Sequence, residues 1–226
     1  NYNDGCQSCN YPLLQYRNNG GNFTKITTGP IAIESTRGFA ASWGDYDNDG
    51  WLDLFVCTGF GLNNLLFHNN GNGNFTKITS GSIVTDGGSS AASSWIDYDR
   101  DGWLDMFVVN VNNENDFLYR NNGNGTFTKI TTGPIVNDAS YGRGCAVGDY
   151  DNDGALDLAT YGPNRLYRNN GGKLTPNAVY ASNQISDTRA VAWGDYDNDG
   201  DLDLAVGNAD QLNPLVGQPT QLYRND

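Results

Sequence analysis

The chain has 226 residues, with 26 acidic against 13 basic side chains and a formal net charge of −13. That length allows one domain or two and a real buried core. The charge excludes the basic face expected of a nucleic-acid binder, and no apolar run approaches the roughly 18 residues of a membrane-spanning helix. Of the acids, 24 are Asp and two are Glu, at Glu34 and Glu114.

Residues 1–12 form a short N-terminal segment, and nothing around Asn1 reads as a signal peptide. It contains Cys6-Gln7-Ser8-Cys9. A thioredoxin-type redox motif would need a βαβ pattern, which is missing here. A local Cys6–Cys9 disulfide that pins the terminus is the expectation. Zinc would need more ligands than the single histidine, His68, offers.

Residues 13–226 repeat. The first landmark is Tyr16-Arg17-Asn18-Asn19-Gly20, which returns at Phe67, Tyr119, Tyr167 and, shortened, Tyr223. The second is Phe23-Thr24-Lys25-Ile26-Thr27, which returns at Phe75 and Phe127 and in degenerate form at Leu174. Between them lies a small, apolar run such as Phe39-Ala40-Ala41-Ser42-Trp43, and then Asp45-Tyr46-Asp47-Asn48-Asp49-Gly50-Trp51-Leu52-Asp53. This nine-residue acidic pattern recurs at 97–105, 149–157 and 195–203, at spacings of 52, 52 and 46 residues.

One repeat therefore parses as four short strands. Strand A is the run before the acidic loop. Strand B runs from Leu52 to Thr58, rich in the residues that favour strands. Strand C is Asn64 to His68, and strand D is Phe75 to Thr79. Asn70-Gly71-Asn72-Gly73 joins C to D, with the Asn-Gly chemistry of a hairpin turn. No stretch keeps a helical period. The class is all-β, and four-stranded units at 40–50 residues are the mark of propeller blades.

Counting strands gives an opening C–D pair (Leu13 to Thr28) without its A–B, and a closing C strand (Gln221 to Asn225) without its D. That is about four and a half repeats. It fits a closed ring with one strand to spare, a segment of a longer chain, or an open array that stacks head to tail.

Aspartates at alternate positions of a tight loop repel one another unless a cation sits among them. Hard oxygen donors in that number suit Ca²⁺, and glycine at the sixth place allows the sharp turn. The expected ligands are the side chains at places one, three, five and nine, with the backbone carbonyl of the seventh. These are Asp45, Asp47, Asp49, Trp51 and Asp53; Asp97, Asp99, Asp101, Trp103 and Asp105; Asp149, Asp151, Asp153, Ala155 and Asp157; and Asp195, Asp197, Asp199, Asp201 and Asp203. An EF-hand would need glutamate at the twelfth place and flanking helices. Here Val56, Val108, Thr160 and Val206 stand there. Four bound Ca²⁺ would bring the net charge to about −5, an ordinary value for a soluble surface. Solvated acidic turns are the plain alternative, which four copies in register make less attractive.

The repeats resemble the FG-GAP/VCBS family found in integrin α-subunit propellers and many secreted repeat proteins. The matching residues are Asp-Tyr-Asp-Asn-Asp-Gly-x-Leu-Asp-Leu at 45–54, 149–158 and 195–204, and Leu-Tyr-Arg-Asn-Asn-Gly with Phe-Thr at 118–128. The likeness runs from Leu13 onward, about nine tenths of the chain. It implies calcium in all four loops on one face of a β-propeller. Arg100, in the fourth place of the second loop, departs from the pattern, as does the C–D turn around Lys173-Leu174.

Three N-x-T sequons fall in the same C–D turn, at Asn22, Asn74 and Asn124. In a eukaryotic secretory pathway they would carry glycans. Trp43, Trp95 and Trp193 stand two residues before their loops, with Val147 in the remaining copy, and read as core. Cys57 and Cys145 read as buried thiols. Trp51 and Trp103 offer aromatic faces on which a sugar could stack. Arg17, Arg120, Arg168 and Arg224 are expected to pair with carboxylates or backbone, and His68, in the same place, reads as a surface replacement. A catalytic triad needs a dedicated histidine, so no enzyme is expected. The sequence points to a secreted calcium-binding scaffold or adhesion module with protein or glycan partners, among them further copies joined head to tail; a lectin is the alternative.

Overall fold

The computed structural model describes residues 10–137, 142–162, 164–177, 187–209 and 220–225. Cys6 and Cys9 lie outside them, so the proposed disulfide does too. The described residues form strands and two single 3-10 turns, Ser82–Val84 and Pro134–Val136. No helix among them is long and apolar enough to cross a membrane.

A small pair, β1 (Tyr11–Pro12) with β4 (Ser35–Thr36), flanks the opening hairpin of β2 (Gln15–Asn18) and β3 (Phe23–Ile26). Three complete antiparallel sheets follow. Blade I is β5 (Gly38–Gly44), β6 (Asp53–Thr58), β7 (Leu65–Asn69) and β8 (Phe75–Ile78). Blade II is β9 (Ser90–Ile96), β10 (Asp105–Asn110), β11 (Phe117–Asn121) and β12 (Phe127–Ile130). Blade III is β13 (Gly144–Gly148), β14 (Asp157–Tyr161), β15 (Arg165–Asn169) and β16 (Leu174–Asn177). Blade IV has β17 (Asp187–Gly194), β18 (Asp203–Ala209) and β19 (Gln221–Tyr223).

Each sheet is a meander in chain order, as four short strands with tight turns dictate. The B strands are second in their sheets, and β6 and β10 are buried along their whole length. Both faces of these strands are therefore apolar, and alternate residues serve different neighbours. Phe55 and Cys57 of β6 join Met106, Val108 and Tyr119 of blade II, while Leu54 and Val56 face the other way, toward Ile31 and Leu13. Phe107, Val109 and Leu118 meet Leu158 and Tyr167, and Ala159 and Leu166 meet Leu204 and Val206. The core thus sits between blades rather than inside one sheet. The 3-10 turns on the D-to-A connections bury Ile83, Val84, Ile135 and Val136 in the same layers.

The A strands pack in series, β5 on β9, β9 on β13 and β13 on β17; among the described residues no comparable packing joins β17 to β5. The degenerate fourth hairpin forms normally, with Arg168 opposite Thr175 and Tyr167 opposite Pro176. Proline is tolerated because β16 is an edge strand.

Candidate metal centres

The four acidic loops connect A to B at one end of each blade. Each is built by the same bonds. The first aspartate accepts two backbone N–H groups: Asp49 and Gly50 donate to Asp45 at 3.1 and 2.9 Å, and Asp101 and Gly102 to Asp97 at 3.1 and 3.0 Å. Asp149 and Asp195 repeat this with Asp153, Gly154, Asp199 and Gly200. The fifth aspartate accepts from the seventh residue, which pins Trp51, Trp103, Ala155 and Asp201 in the loop through their N–H groups. The fourth residue is left-handed in every copy: Asn48 at φ 56, Arg100 at φ 61, Asn152 at φ 54 and Asn198 at φ 60. Asparagine tolerates that region, which explains three of the four; Arg100 adopts it without such a preference.

The ninth aspartates do a job the sequence reading did not foresee. Asp53, Asp105, Asp157 and Asp203 are buried, and both oxygens of each are bonded to backbone. One takes the N–H of the loop tyrosine (Tyr46, Tyr98, Tyr150, Tyr196) and the other the N–H at the end of strand C (Asn69, Asn121, Asn169, Asn225). They tie the loop to the far side of its own sheet. Burial pushes Asp53 and Asp157 up to about 6 and Asp105 to about 7, against the lowering effect of those N–H bonds. A carboxyl so raised is stabilised in its ionised form by an adjacent cation.

The third aspartates point inward with acceptors to spare. Asp47 Oδ1, Asp99 Oδ1 and Asp151 Oδ1 are buried and have no hydrogen-bond partner. Oxygen donors of three residues converge in each loop, and unfilled buried acceptors in an acidic nest fit a hard, oxygen-seeking cation. Asp45, Asp47 and Asp49 bring donors within 4.8 Å of one another, as do Asp97, Asp99 and Asp101; Asp149, Asp151 and Asp157; and Asp195, Asp197 and Asp199. A grouping that includes the ninth residue is thus seen directly in the third loop, and in the first, where Asp53 groups with Asp47 and His68, while Asp105 and Asp203 are placed by their backbone bonds.

Strand C supplies a positive lid. Arg120 pairs with Asp99 at 2.5 Å and Asp101 at 3.0 Å, Arg168 with Asp151 and Asp153, and Arg224 with Asp197 at 3.1 Å and Asp199 at 3.6 Å. Such outer partners orient ligating carboxylates. His68 holds this place in blade I. It is not the surface replacement its repeat position suggested: the side chain is 25% exposed and Nδ1 lies 3.1 Å from Asp47 Oδ2.

The loop tyrosines and the strand-C asparagines were also missed as a unit. Asn121 Nδ2 donates to the Tyr46 carbonyl at 2.7 Å, Asn169 to Tyr98 at 2.7 Å and Asn225 to Tyr150 at 2.5 Å. Each bond runs from one blade to the loop of the blade before it. Their recurrence in every copy was the available signal. Trp51 and Trp103 lie over Gly71 and Gly123, whose φ values of 81° and 68° and close ring contacts leave no room for a side chain. Asn22, Asn74 and Asn124 are exposed in their turns. Burial drives Cys57 and Cys145 up to about 12, in keeping with inert thiols.

These features define an all-β protein of propeller-type blades in which each blade carries one acidic loop able to hold a metal ion. FG-GAP-like repeats match residues 8–56, 56–108, 97–160 and 158–206, and the chain belongs to that family. It is 42% identical over 67 residues to mouse cartilage acidic protein 1, and 40% identical over 76 residues to the Xenopus tropicalis protein of that name. Those matches cover 28% and 31% of this chain but only 10% and 12% of the relatives. Among solved structures, a lectin of Agrocybe aegerita that specifically recognises non-reducing terminal N-acetylglucosamine superposes with a TM-score of 0.60 at 20% identity. The match covers 96% of this chain and 62% of the lectin. At that identity the likeness concerns the fold.

Proposed function

We propose that this chain is a secreted, calcium-stiffened scaffold or adhesion module, in which Ca²⁺ in each loop holds A to B and fixes the loop against strand C. The observation that carries this reading is the fourfold repeat of one loop geometry that gathers three carboxylates, with buried, unbonded carboxylate oxygens in the first three copies. Ion binding is then folding energy, because the unfolded chain has no formed nest. Ca²⁺ supplies charge neutralisation there. The chain's own residues do the rest: Asp45 shapes the turn, Asp53 anchors it, and the lid arginines orient places three and five. Calorimetric titration of the chelated chain with Ca²⁺ tests it. Uptake of about four ions with a rise in melting temperature supports the reading, and no uptake at millimolar Ca²⁺ sinks it. Extracellular fluid is the setting in which such loops stay filled, and exposed Asn22, Asn74 and Asn124 suit glycan attachment there. The partners on this reading are proteins or glycans outside the cell, and the role is binding rather than catalysis.

Head-to-tail assembly belongs to the same reading. Trp43, at 52% exposure, and Tyr196, at 53%, are the two halves of a joint that is filled between the internal blades. Tyr16-Arg17-Asn18 of β2 and Tyr223-Arg224-Asn225, which starts at the last residue of β19, hold the same place in the repeat, so copies would join with β2 of one taking the place of β19 in the next. Light scattering with Ca²⁺ present checks this; a monomer at every concentration refutes it.

A second reading, sugar binding, is favoured by the lectin likeness together with one cleft. At the end of blades I and II opposite the acidic loops, Phe39, Phe60, Ser89, Ser90 and Asn112 line a cavity of about 220 Å³. Phe39 and Phe60 lie 5.9 Å apart, and the Arg37 guanidinium sits 4.4 Å over the Phe60 ring. Retention on N-acetylglucosamine resin, lost in Phe60→Ala, would support it; no retention on any glycan would end it.

A further inference from the structure

We propose that the first loop, alone of the four, also takes a borderline divalent transition ion of the Zn²⁺ class, through Asp47, Asp53 and His68. This rests on the reading of the loops as cation sites and goes beyond it by naming a different ion chemistry at one of them.

The four loops share their carboxylates and differ in what strand C brings to them. In three, an arginine reaches the third and fifth aspartates. A guanidinium keeps its proton at all working pH and has no lone pair to give a metal. It satisfies part of the carboxylate charge and leaves the site to oxygen donors. In the first loop a ring nitrogen replaces that fixed charge, and imidazole is a metal ligand when neutral.

The nitrogen is placed as a ligand would be. His68 Nδ1 is buried and makes no hydrogen bond, while its neighbours are Asp47 Oδ2 at 3.1 Å and Asp53 Oδ1 at 3.3 Å. Tetrahedral bonds of ~2.0–2.1 Å put adjacent donor atoms roughly 3.3 Å apart. The two separations match that edge. Donors of Asp47, Asp53 and His68 all lie within 4.8 Å of one another. Asp47 Oδ1 is a second buried atom with no hydrogen bond.

The supporting shell is also present. Asp53 is held by the N–H groups of Tyr46 at 3.2 Å and Asn69 at 2.8 Å, so its carboxylate cannot swing away. The Tyr46 ring stands edge-on to the imidazole at 6.3 Å and limits its rotation. Two oxygens and one nitrogen from the protein, with one place left for solvent, form the three-ligand pattern of open zinc sites. Ca²⁺, which prefers oxygen alone, gains nothing from the nitrogen. Imidazole suits Zn²⁺, Co²⁺ and Ni²⁺.

The test uses the whole chain with Ca²⁺ stoichiometric to the loops rather than in excess, because Asp47 and Asp53 serve both ions at the first loop, and Co²⁺ as the optical probe. The wild-type chain should take up one Co²⁺ with the visible absorption of a four-coordinate ion, displaced by one equivalent of Zn²⁺. In His68→Arg, which installs the residue the other loops carry, Zn²⁺ affinity should fall at least about a hundredfold. Ca²⁺ should still raise the melting temperature of that variant. His68→Gln should show the same loss and guards against a folding defect in the arginine variant. Equal Zn²⁺ affinity in wild type and both variants would overturn the proposal, as would a wild-type chain that binds no Zn²⁺ while Ca²⁺ still stabilises it. Failure of Ca²⁺ to stabilise either chain would instead count against the calcium reading.

Discussion

The joints between blades and the two outward-facing ends are made of the same residues in opposite circumstances. In the first joint Trp95 stacks on Tyr46 at 5.9 Å and 9°, and its ring lies where a Cβ on Gly44 would be, 2.5 Å away. In the third, Trp193 stacks on Tyr150 at 5.9 Å and 6°, against Gly148. The second joint has Val147 in place of tryptophan and Ile96 in place of glycine, and both belong to one apolar cluster. Ring plus glycine and two branched aliphatics are alternative ways to fill one space. At the ends, Trp43 is 52% exposed, Tyr196 is 53% exposed, and a Cβ on Gly194 would meet nothing within 4 Å. A tryptophan two residues before a loop is therefore core or surface according to its neighbour, not its own repeat. Blade stability is largely an interface property, as in other repeat arrays.

The largest predicted effect is that of removing the Ca²⁺ proposed for the loops that carry the tyrosine half of every joint. Chelation should lower the melting temperature by more than about 10 °C, since several ions each contribute through linkage. Differential scanning with EDTA against excess Ca²⁺ measures it. Asp49→Ala should remove part of that difference, because Asp49 both closes its loop through Trp51 and belongs to the carboxylate cluster with Asp45 and Asp47.

A second effect reverses sign with the metal. Without Ca²⁺, Asp53, Asp105 and Asp157 sit at about 6, 7 and 6 against an ordinary 3.8, chiefly through burial. Between pH 4 and 7 the folded chain then holds more protons than the unfolded one, so stability falls as pH rises through that window. In chelator the melting temperature should be higher at pH 5 than at pH 7.5. With Ca²⁺ present it should be lower at pH 5, because the ion needs ionised carboxylates and protons compete with it. The same trend in both buffers would separate these carboxylates from the metal.

Much of this was legible in the sequence, and what was not has a common cause. Places one, three and five announce themselves by alternation, and the glycine by the turn it permits. The strands follow from apolar runs between Asn-Gly turns; even the weak hairpin at Leu174 forms. Place nine read as a ligand, yet its visible bonds go to the N–H of Asn69 and its equivalents, 12 to 22 residues away on another strand. The Tyr–Asn bonds span 71 to 75 residues. Repetition shows that such residues matter within the unit but not that their partner is the next unit. His68 was misread for the same reason: its environment is set by a loop 15 to 21 residues earlier in the chain, not by its neighbours on β7. Small D-to-A features, the β1–β4 pair and the two 3-10 turns, carry no pattern strong enough to read.

Single substitutions sharpen the contrast between joint and end. Trp95→Ala should cost about 3 kcal/mol, since it empties a space shared by Tyr46, Phe55 and Phe127. Gly44→Ala should cost about 1–3 kcal/mol through overpacking against Trp95. Asn121→Ala leaves the Tyr46 carbonyl without its donor and should cost about 1–2 kcal/mol. Urea titrations of the Ca²⁺-loaded chain read all three.

The most discriminating outcomes are the smallest. Gly194→Ala, the same exchange as Gly44→Ala, should change stability by no more than about 0.5 kcal/mol because nothing packs on it. Trp43→Ala should be equally mild for the folded monomer, though Trp43 holds the same repeat place as Trp95 and likewise lies beside a phenylalanine of its own blade, Phe75. If copies associate through this face, Trp43→Ala and a bulky Gly194→Val should each abolish large particles in light scattering while leaving the monomer's denaturation midpoint in place. A midpoint that drops in Trp43→Ala as far as in Trp95→Ala would mean that the exposed ring already has its partner within one chain, and the contrast between joint and end would fail.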